Sequence, residues 1–228
     1  MARLTFGQKA FDFYNNISPP KLPKQITIIN PLDNHRAKKY AKKFYSTFFN
    51  DTNKRIFVLG INPGRFGSSI TGINFTDPVA LHKYCSIKNS LEKKRELSSE
   101  FIYNSINNWG GVKTFYSKFF LTAVSPVGFL KAGKNYNYYD DKDLLNTVQP
   151  FIIKTLQEQL SIGAFKTTII LGTGKNYKYL TQLNNNYNFF ENIHVLEHPR
   201  YIMQYQRKNI YKYLKKYNAV FSQALREI

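Results

Sequence analysis

Asn62, Phe75 and His198 are the side chains whose type and setting could do chemistry in this chain. Asn62 precedes Pro63, which biases it away from helical backbone and holds it extended. A carboxamide on a rigid turn can orient a water through its carbonyl oxygen. It is no strong base, so it suits a reaction that asks little activation of its nucleophile; equally, the amide can simply bond the turn backbone. Phe75 offers a ring face on which a base could stack, worth about 1–3 kcal/mol, or it fills the core as one of 19 phenylalanines. His198, in Glu197-His198-Pro199-Arg200, could donate a hydrogen bond to charge developing on a carbonyl oxygen, or cap a helix. Arg200 and Arg207 fit phosphate or a helix end. Between them, Tyr201-Ile202-Met203 reads as an apolar wedge flanked by basic residues, or as a helical turn facing the core.

Other signals point away from alternative chemistries. Leu171-Gly172-Thr173-Gly174-Lys175 is only half a phosphate loop, with Asn176 where Ser or Thr is required, so a nucleoside-triphosphate site is rejected. Cys85 is the single cysteine, which excludes an internal disulfide and a Cys-rich zinc site. No His/Asp/Glu group has metal-ligand spacing and there is no Gly-x-Ser-x-Gly elbow. Neither metal nor organic cofactor is expected.

The elements that must position these residues emerge from the hydrophobic pattern. Arg55 to Leu59 reads as a buried strand that runs into the turn Gly60-Ile61-Asn62-Pro63-Gly64-Arg65-Phe66-Gly67. Phe119 to Val124, Thr167 to Leu171 and a strand ending at His194 to Leu196 are three more. Helices are expected over Ala2 to Asn16, His35 to Phe49, Ser90 to Tyr103, Asp140 to Leu160, Gly174 to Leu183 and Gln204 to Arg226, with a further helix start at Asp77-Pro78. Alternation of strands and helices predicts an α/β three-layer sandwich with a central, mostly parallel four-stranded sheet flanked by helices. Residues 1–228 are expected to form a single domain, residues 1–50 being a helical extension packed on it. Loops after parallel strands converge on the carboxyl edge of the sheet, which brings Asn62-Pro63-Gly64, Ser125-Pro126 and His198-Pro199 together.

The 228 residues carry 33 Lys and Arg against 14 Asp and Glu, for a net charge of +19 and a pI near 9.8. Such a balance favours nucleic acid as partner, because Lys and Arg displace counterions from phosphates. Lys, Asn, Ile and Tyr are all abundant, so an AT-rich coding sequence is the competing source of the lysines. No apolar run reaches the roughly 20 residues of a membrane helix, and the first residues lack a signal peptide's apolar core. A monomeric cytoplasmic protein, associated with the nucleoid through DNA, is the expectation.

Taken together, these residues resemble the uracil-DNA glycosylase superfamily, in particular its single-strand-selective monofunctional branch. The first motif of that branch reads Gly-Met-Asn-Pro-Gly-Pro-Phe-Gly and then Thr-Gly-x-x-Phe. Gly60, Asn62, Pro63, Gly64, Phe66, Gly67, Thr71, Gly72 and Phe75 stand at the matching positions. The second motif opens with His-Pro, matched by His198-Pro199, and the run from His198 to Tyr205 is similar to that of a bacterial offshoot of the branch. The fold-level likeness extends over most of Lys54 to Leu225.

The resemblance implies a monofunctional glycosylase that hydrolyses the N-glycosidic bond of deaminated bases in DNA and so begins base excision repair. Asn62 would position the water and His198 would stabilise the departing base. Ile61, Gly64, Phe66, Phe75, Thr122, Ala123 and Ser125 would form the base pocket. Arg65, Arg200, Tyr201, Ile202, Met203 and Arg207 would contact DNA. The chain departs from the family at Ala123, where an Asn reads the uracil edge, so xanthine and hypoxanthine join uracil as expected substrates. Two other readings stand beside this one: a catalytically weak or inactive DNA-binding module of the same fold, and an enzyme acting on free nucleosides in the same pocket.

Overall fold

A computed structural model describes residues 3–228. Thr5 opens the first helix with a capping box: its hydroxyl accepts from the Gln8 backbone N–H while the Gln8 side chain accepts from the Thr5 N–H. In chain order the elements are α1 (Phe6–Asn15), β1 (Ile26–Ile29), α2 (His35–Phe48), β2 (Arg55–Gly60), α3 (Ser68–Thr71), α4 (Pro78–Lys83), α5 (Leu97–Trp109), α6 (Gly111–Tyr116) and β3 (Phe119–Ala123). Then come β4 (Gly128–Lys131), β5 (Lys134–Tyr136), α7 (Lys142–Ser161), β6 (Ala164–Leu171), α8 (Lys175–Tyr187), β7 (Asn192–Leu196), α9 (Pro199–Tyr205) and α10 (Ile210–Leu225).

The four expected strands form one all-parallel sheet in the order β3-β2-β6-β7. All six residues of β2 are buried, so both faces of the sheet's centre are covered, which is why Arg55–Gly60 reads as an unbroken apolar run after its first residue. That first residue, Arg55, is wholly buried yet satisfied. Its guanidinium donates to Asp51 and to the carbonyls of Asn53, Lys54 and Tyr116, and lies over the rings of Phe6 and Phe49. From β2 the chain steps outward to β3, then returns to the opposite side of β2 as β6. The connections diverge there, which opens a crevice beyond the carboxyl ends of the strands.

Residues 3–50 share the core of the sheet. Phe6 and Phe49 pack with Phe120 of β3 at 5.1 and 5.5 Å between ring centroids. The stretch expected to be helical also contains β1, whose alternating Ile26-Thr27-Ile28-Ile29 pairs antiparallel with β4. β4 and β5 form a hairpin turned by Ala132 and Gly133, both at positive φ, as a two-residue hairpin loop requires. This three-stranded antiparallel sheet was not expected.

Several helix boundaries differ from the sequence pattern, among them the ends of α5 at Trp109 and of α8 at Tyr187, beyond the expected Tyr103 and Leu183. α1 begins at Phe6; Ala2, where the pattern starts it, lies outside the described residues. α5 starts at Leu97, seven residues after the predicted Ser90: Glu92 to Arg95 are exposed, and Asp77 Oδ2 accepts the Glu96 N–H at 2.9 Å at the helix start. The final helix is two: α9 ends at Tyr205, a 3-10 turn spans Arg207–Asn209, and α10 completes the chain.

Candidate active site

A cleft of about 380 Å³ opens at the carboxyl edge of the parallel sheet. Asn62, Phe75 and His198 all line it, as do Ile61, Gly64 and Ala123. The Gly60↔Ala123 pair sets the level at which β2 and β3 deliver their loops.

Asn62 is fixed by the end of the β4–β5 hairpin and the turn beyond it. Its Nδ2 donates to the Tyr136 carbonyl at 3.2 Å and its Oδ1 accepts from the Tyr138 N–H at 3.3 Å. The amide therefore bonds backbone, as one of its two readings has it, while the residue also lines the cleft. Arg65 fastens the hairpin from the other side, its N–H donating to Asn135 Oδ1 at 3.0 Å and its guanidinium to the Gly133 carbonyl at 2.5 Å.

Phe75 sits at φ +55°, a left-handed conformation costing a bulky residue about 1–2 kcal/mol. The neighbouring threonines hold it there. The Thr71 hydroxyl donates to the Thr76 carbonyl at 2.6 Å and accepts the Ile73 N–H at 3.2 Å, while Thr76 Oγ1 donates to the Asn74 carbonyl at 3.1 Å. Gly60 makes room for the ring, since a Cβ at that position would overlap it. The rings of Phe75 and His198 lie 6.0 Å apart, inclined by 44°.

His198 caps α9, its Nδ1 accepting the Arg200 N–H at 3.2 Å. Nδ1 is thus an acceptor, and the ring hydrogen of the neutral imidazole belongs on Nε2. Burial, and then the nearby Arg200 charge, push the His198 pKa down to about 4. At neutral pH the cleft therefore meets an uncharged imidazole that donates through Nε2–H. The loop beneath is anchored by Lys216, paired with Glu197 at 2.8 Å, and by the Tyr217 hydroxyl, which donates to the Glu197 carbonyl.

Several expected site residues lie elsewhere. Thr122 is fully buried and bonded to Tyr14 and Gln159, and Ser125 is fully buried with its hydroxyl donating to the Val127 carbonyl. Neither lines the cleft: β3 is buried along its length and holds the Thr122 hydroxyl inside, while the Ser125 hydroxyl, in the turn just beyond β3, is taken by the Val127 carbonyl. Phe66 stands outside the cleft, 38% exposed, with the Arg65 guanidinium 4.4 Å from its ring centroid and Lys94 at 5.6 Å. Ile202 and Met203 are buried on the core side of α9 and cannot project into a duplex. The exposed side of that helix carries Tyr201 and Tyr205, whose centroids are 5.6 Å apart. Arg200 lines the cleft, and Arg207 is exposed beside Glu100 at 3.3 Å.

The cleft also contains residues that the sequence pattern did not single out. Asn135 arrives on the hairpin, for which Ala132-Gly133 was the available turn signal, and Asn137 in the turn just beyond it. Asn74 lies between two motif positions. Glu96 ends a charged run that reads as solvated surface. Its carboxylate packs so closely on Gly67 that a Cβ there would overlap it. Burial first, then Asp77, push its pKa up to about 7 against the opposing pull of Arg200.

The ends of the parallel strands and the loops that follow them thus bring a backbone-bonded amide, an aromatic ring and a histidine into one cleft. Residues 46–222 match the family described as the uracil DNA glycosylase superfamily, and the chain belongs to it. Among solved structures it is similar to wild-type SMUG2 of Pedobacter heparinus. The two share 42% sequence identity over 99% of this chain and 100% of that one, with a TM-score of 0.95. No curated protein sequence matches it. No helix among the described residues is long and apolar enough to cross a membrane.

Proposed function

We propose that this protein is a monofunctional DNA glycosylase that hydrolyses the N-glycosidic bond of a deaminated base, with uracil, xanthine and hypoxanthine as the candidate substrates. The observation that carries this reading is the presence of Asn62, Phe75 and His198 on one cleft. Phe75 stacks on the extruded base. As the bond to the sugar stretches, negative charge gathers on the base carbonyl oxygen, and the His198 Nε2–H stabilises it by a hydrogen bond. A neutral donor keeps its proton through this step, which suits a leaving base that departs as an anion. Asn62 Oδ1 orients the water that adds to the sugar cation, for which no strong base is needed. The cost of extruding the base, a few kcal/mol, is offset by stacking in the cleft and by phosphate contacts from the basic surface. Tyr201 and Tyr205, rather than Ile202 and Met203, present the aromatic surface that meets the neighbouring bases.

A base-release panel over oligonucleotides carrying each deaminated base, developed by alkaline cleavage of abasic sites, tests the reading. Release by the wild type should fall about 100-fold or more in Asn62→Ala and in His198→Ala, the scale of losing a transition-state hydrogen bond. Salt-sensitive DNA binding with no release of any base would instead favour a binding module, a reading that the backbone-bonded amide of Asn62 also allows.

A further inference from the structure

We infer that Asn74 reads the hydrogen-bonding edge of the extruded base, and that Tyr14 is the positioning residue that decides which end of the Asn74 amide faces it. The inference rests on the glycosylase reading of the cleft and supplies what Ala123 lacks there. Ala123 has no side-chain donor or acceptor, and its carbonyl is already taken by Gln159 Nε2 at 3.2 Å. Asn74 lines the same cleft and is only 5% exposed. Its Nδ2 donates to the Tyr14 hydroxyl at 3.0 Å, and its Oδ1 accepts from no described residue.

The orientation of this amide is set by a one-way relay. A backbone carbonyl only accepts, so the Gln159 atom beside the Ala123 oxygen is the NH₂, and Gln159 Oε1 is left to accept. Thr122 Oγ1 donates to that oxygen, which uses its single hydrogen. Tyr14 must then donate to Thr122, at 2.5 Å, which uses the Tyr14 hydrogen in turn. The remaining partner of Tyr14 has to be a donor, and that is Asn74 Nδ2. With Nδ2 held, Oδ1 is the acceptor that Asn74 offers to the cleft, and the second Nδ2 hydrogen remains for an adjacent exocyclic carbonyl. Tyr14 is itself locked, stacked on Tyr45 at 6.3 Å with ring planes 8° apart.

An acceptor beside a donor is complementary to an imide or lactam edge, in which a ring N–H adjoins a carbonyl. Uracil, xanthine and hypoxanthine carry that edge. Cytosine and adenine present a ring nitrogen lone pair at the same place, which would face Oδ1 repulsively. The relay therefore separates uracil from cytosine and hypoxanthine from adenine; guanine, the parent of xanthine, already carries the lactam edge, so this contact does not distinguish that pair.

The test is binding, independent of turnover. Oligonucleotides carry one uncleavable 2′-fluoro-2′-deoxyuridine, its N3-methyl derivative, the hypoxanthine and 1-methylhypoxanthine counterparts, or a tetrahydrofuran abasic analogue. Wild type should bind at least one N–H base about tenfold or more tighter than its methylated partner, the scale of leaving a buried polar group unpaired. Asn74→Ala should erase that preference with tetrahydrofuran affinity unchanged. Tyr14→Phe, which keeps the ring, should reduce it several-fold with no change in the thermal midpoint large enough to signal unfolding, and it carries the test should Asn74→Ala not fold. A wild type without preference in either pair overturns the inference, as does a preference that survives Tyr14→Phe. A wild type that shows the Asn74-dependent preference yet releases no base would sink the catalytic reading and leave this one standing.

Discussion

Replacing Glu96 with glutamine should stabilise the fold by an amount that grows with pH. The Glu96 carboxyl is pushed from the ordinary 4.5 up to about 7, by burial first and Asp77 second, with Arg200 opposing. Between those values the folded chain still holds a proton that the unfolded chain has released. Stability therefore falls as pH rises through that window, and the whole cost is present above about 7. At 1.36 kcal/mol per unit of pKa, the interval corresponds to about 3 kcal/mol. His198 works in the opposite direction. Its pKa lies at about 4 against the ordinary 6.5, so the stability it contributes is full above 6.5 and is lost as pH falls toward 4. The two slopes oppose each other between about 4.5 and 6.5, and wild-type stability should be nearly flat there. Glu96→Gln removes one of them, so its stability should climb over that range and exceed the wild type's by about 3 kcal/mol at high pH. Urea titrations of both proteins at pH values from about 4.5 to about 8.5 measure the difference directly. A gap that stays constant with pH would refute the reasoning. So would a gap that narrows as pH rises, which would mean that Arg200 outweighs burial and keeps Glu96 ionised.

Three further outcomes are expected from the geometry. Gly60→Ala should displace the Phe75 ring and cost about 1–3 kcal/mol of stability, with base release falling further than stability explains, as parallel melting and release assays would show. Tyr201→Ala combined with Tyr205→Ala should weaken DNA binding by about tenfold or more, in line with lost base stacking, whereas Ile202→Ala should lower the melting temperature and leave binding per folded molecule intact. In titrations of binding against salt, Lys94→Ala should reduce the slope of log affinity by about 1 if that exposed residue meets a phosphate, and an unchanged slope would place the DNA backbone elsewhere.

The parallel sheet was legible because its strands are short apolar runs bounded by Gly and Pro, and a buried strand leaves no freedom in that pattern. Asn62 and His198 were placed on the cleft for a related reason: they sit just beyond strand ends, and strand ends of a parallel sheet converge, whereas Phe75, on the Gly-bounded loop past α3, stood out only as an aromatic after Thr71-Gly72. The β4–β5 hairpin was not, since Gly128 to Tyr136 is too short and too polar to stand out, although it supplies the backbone that orients Asn62. The wedge assignment failed at Ile202 and Met203 because a helix of seven residues has one buried side, and which side that is depends on the packing of α9 against α5.

By itself, the chain's order of residues determined the sheet, the positions of the loops that serve it and a surface charged for nucleic acid, since each of these depends on local pattern or on simple counts. Only the tertiary structure decided which polar groups face the cleft and in what state. Asn74, Glu96 and Tyr14 look ordinary in sequence. They acquire orientation and altered proton affinity from partners as distant along the chain as Thr122 and Gln159, because hydrogen-bond direction and desolvation are properties of an enclosed space and not of a segment.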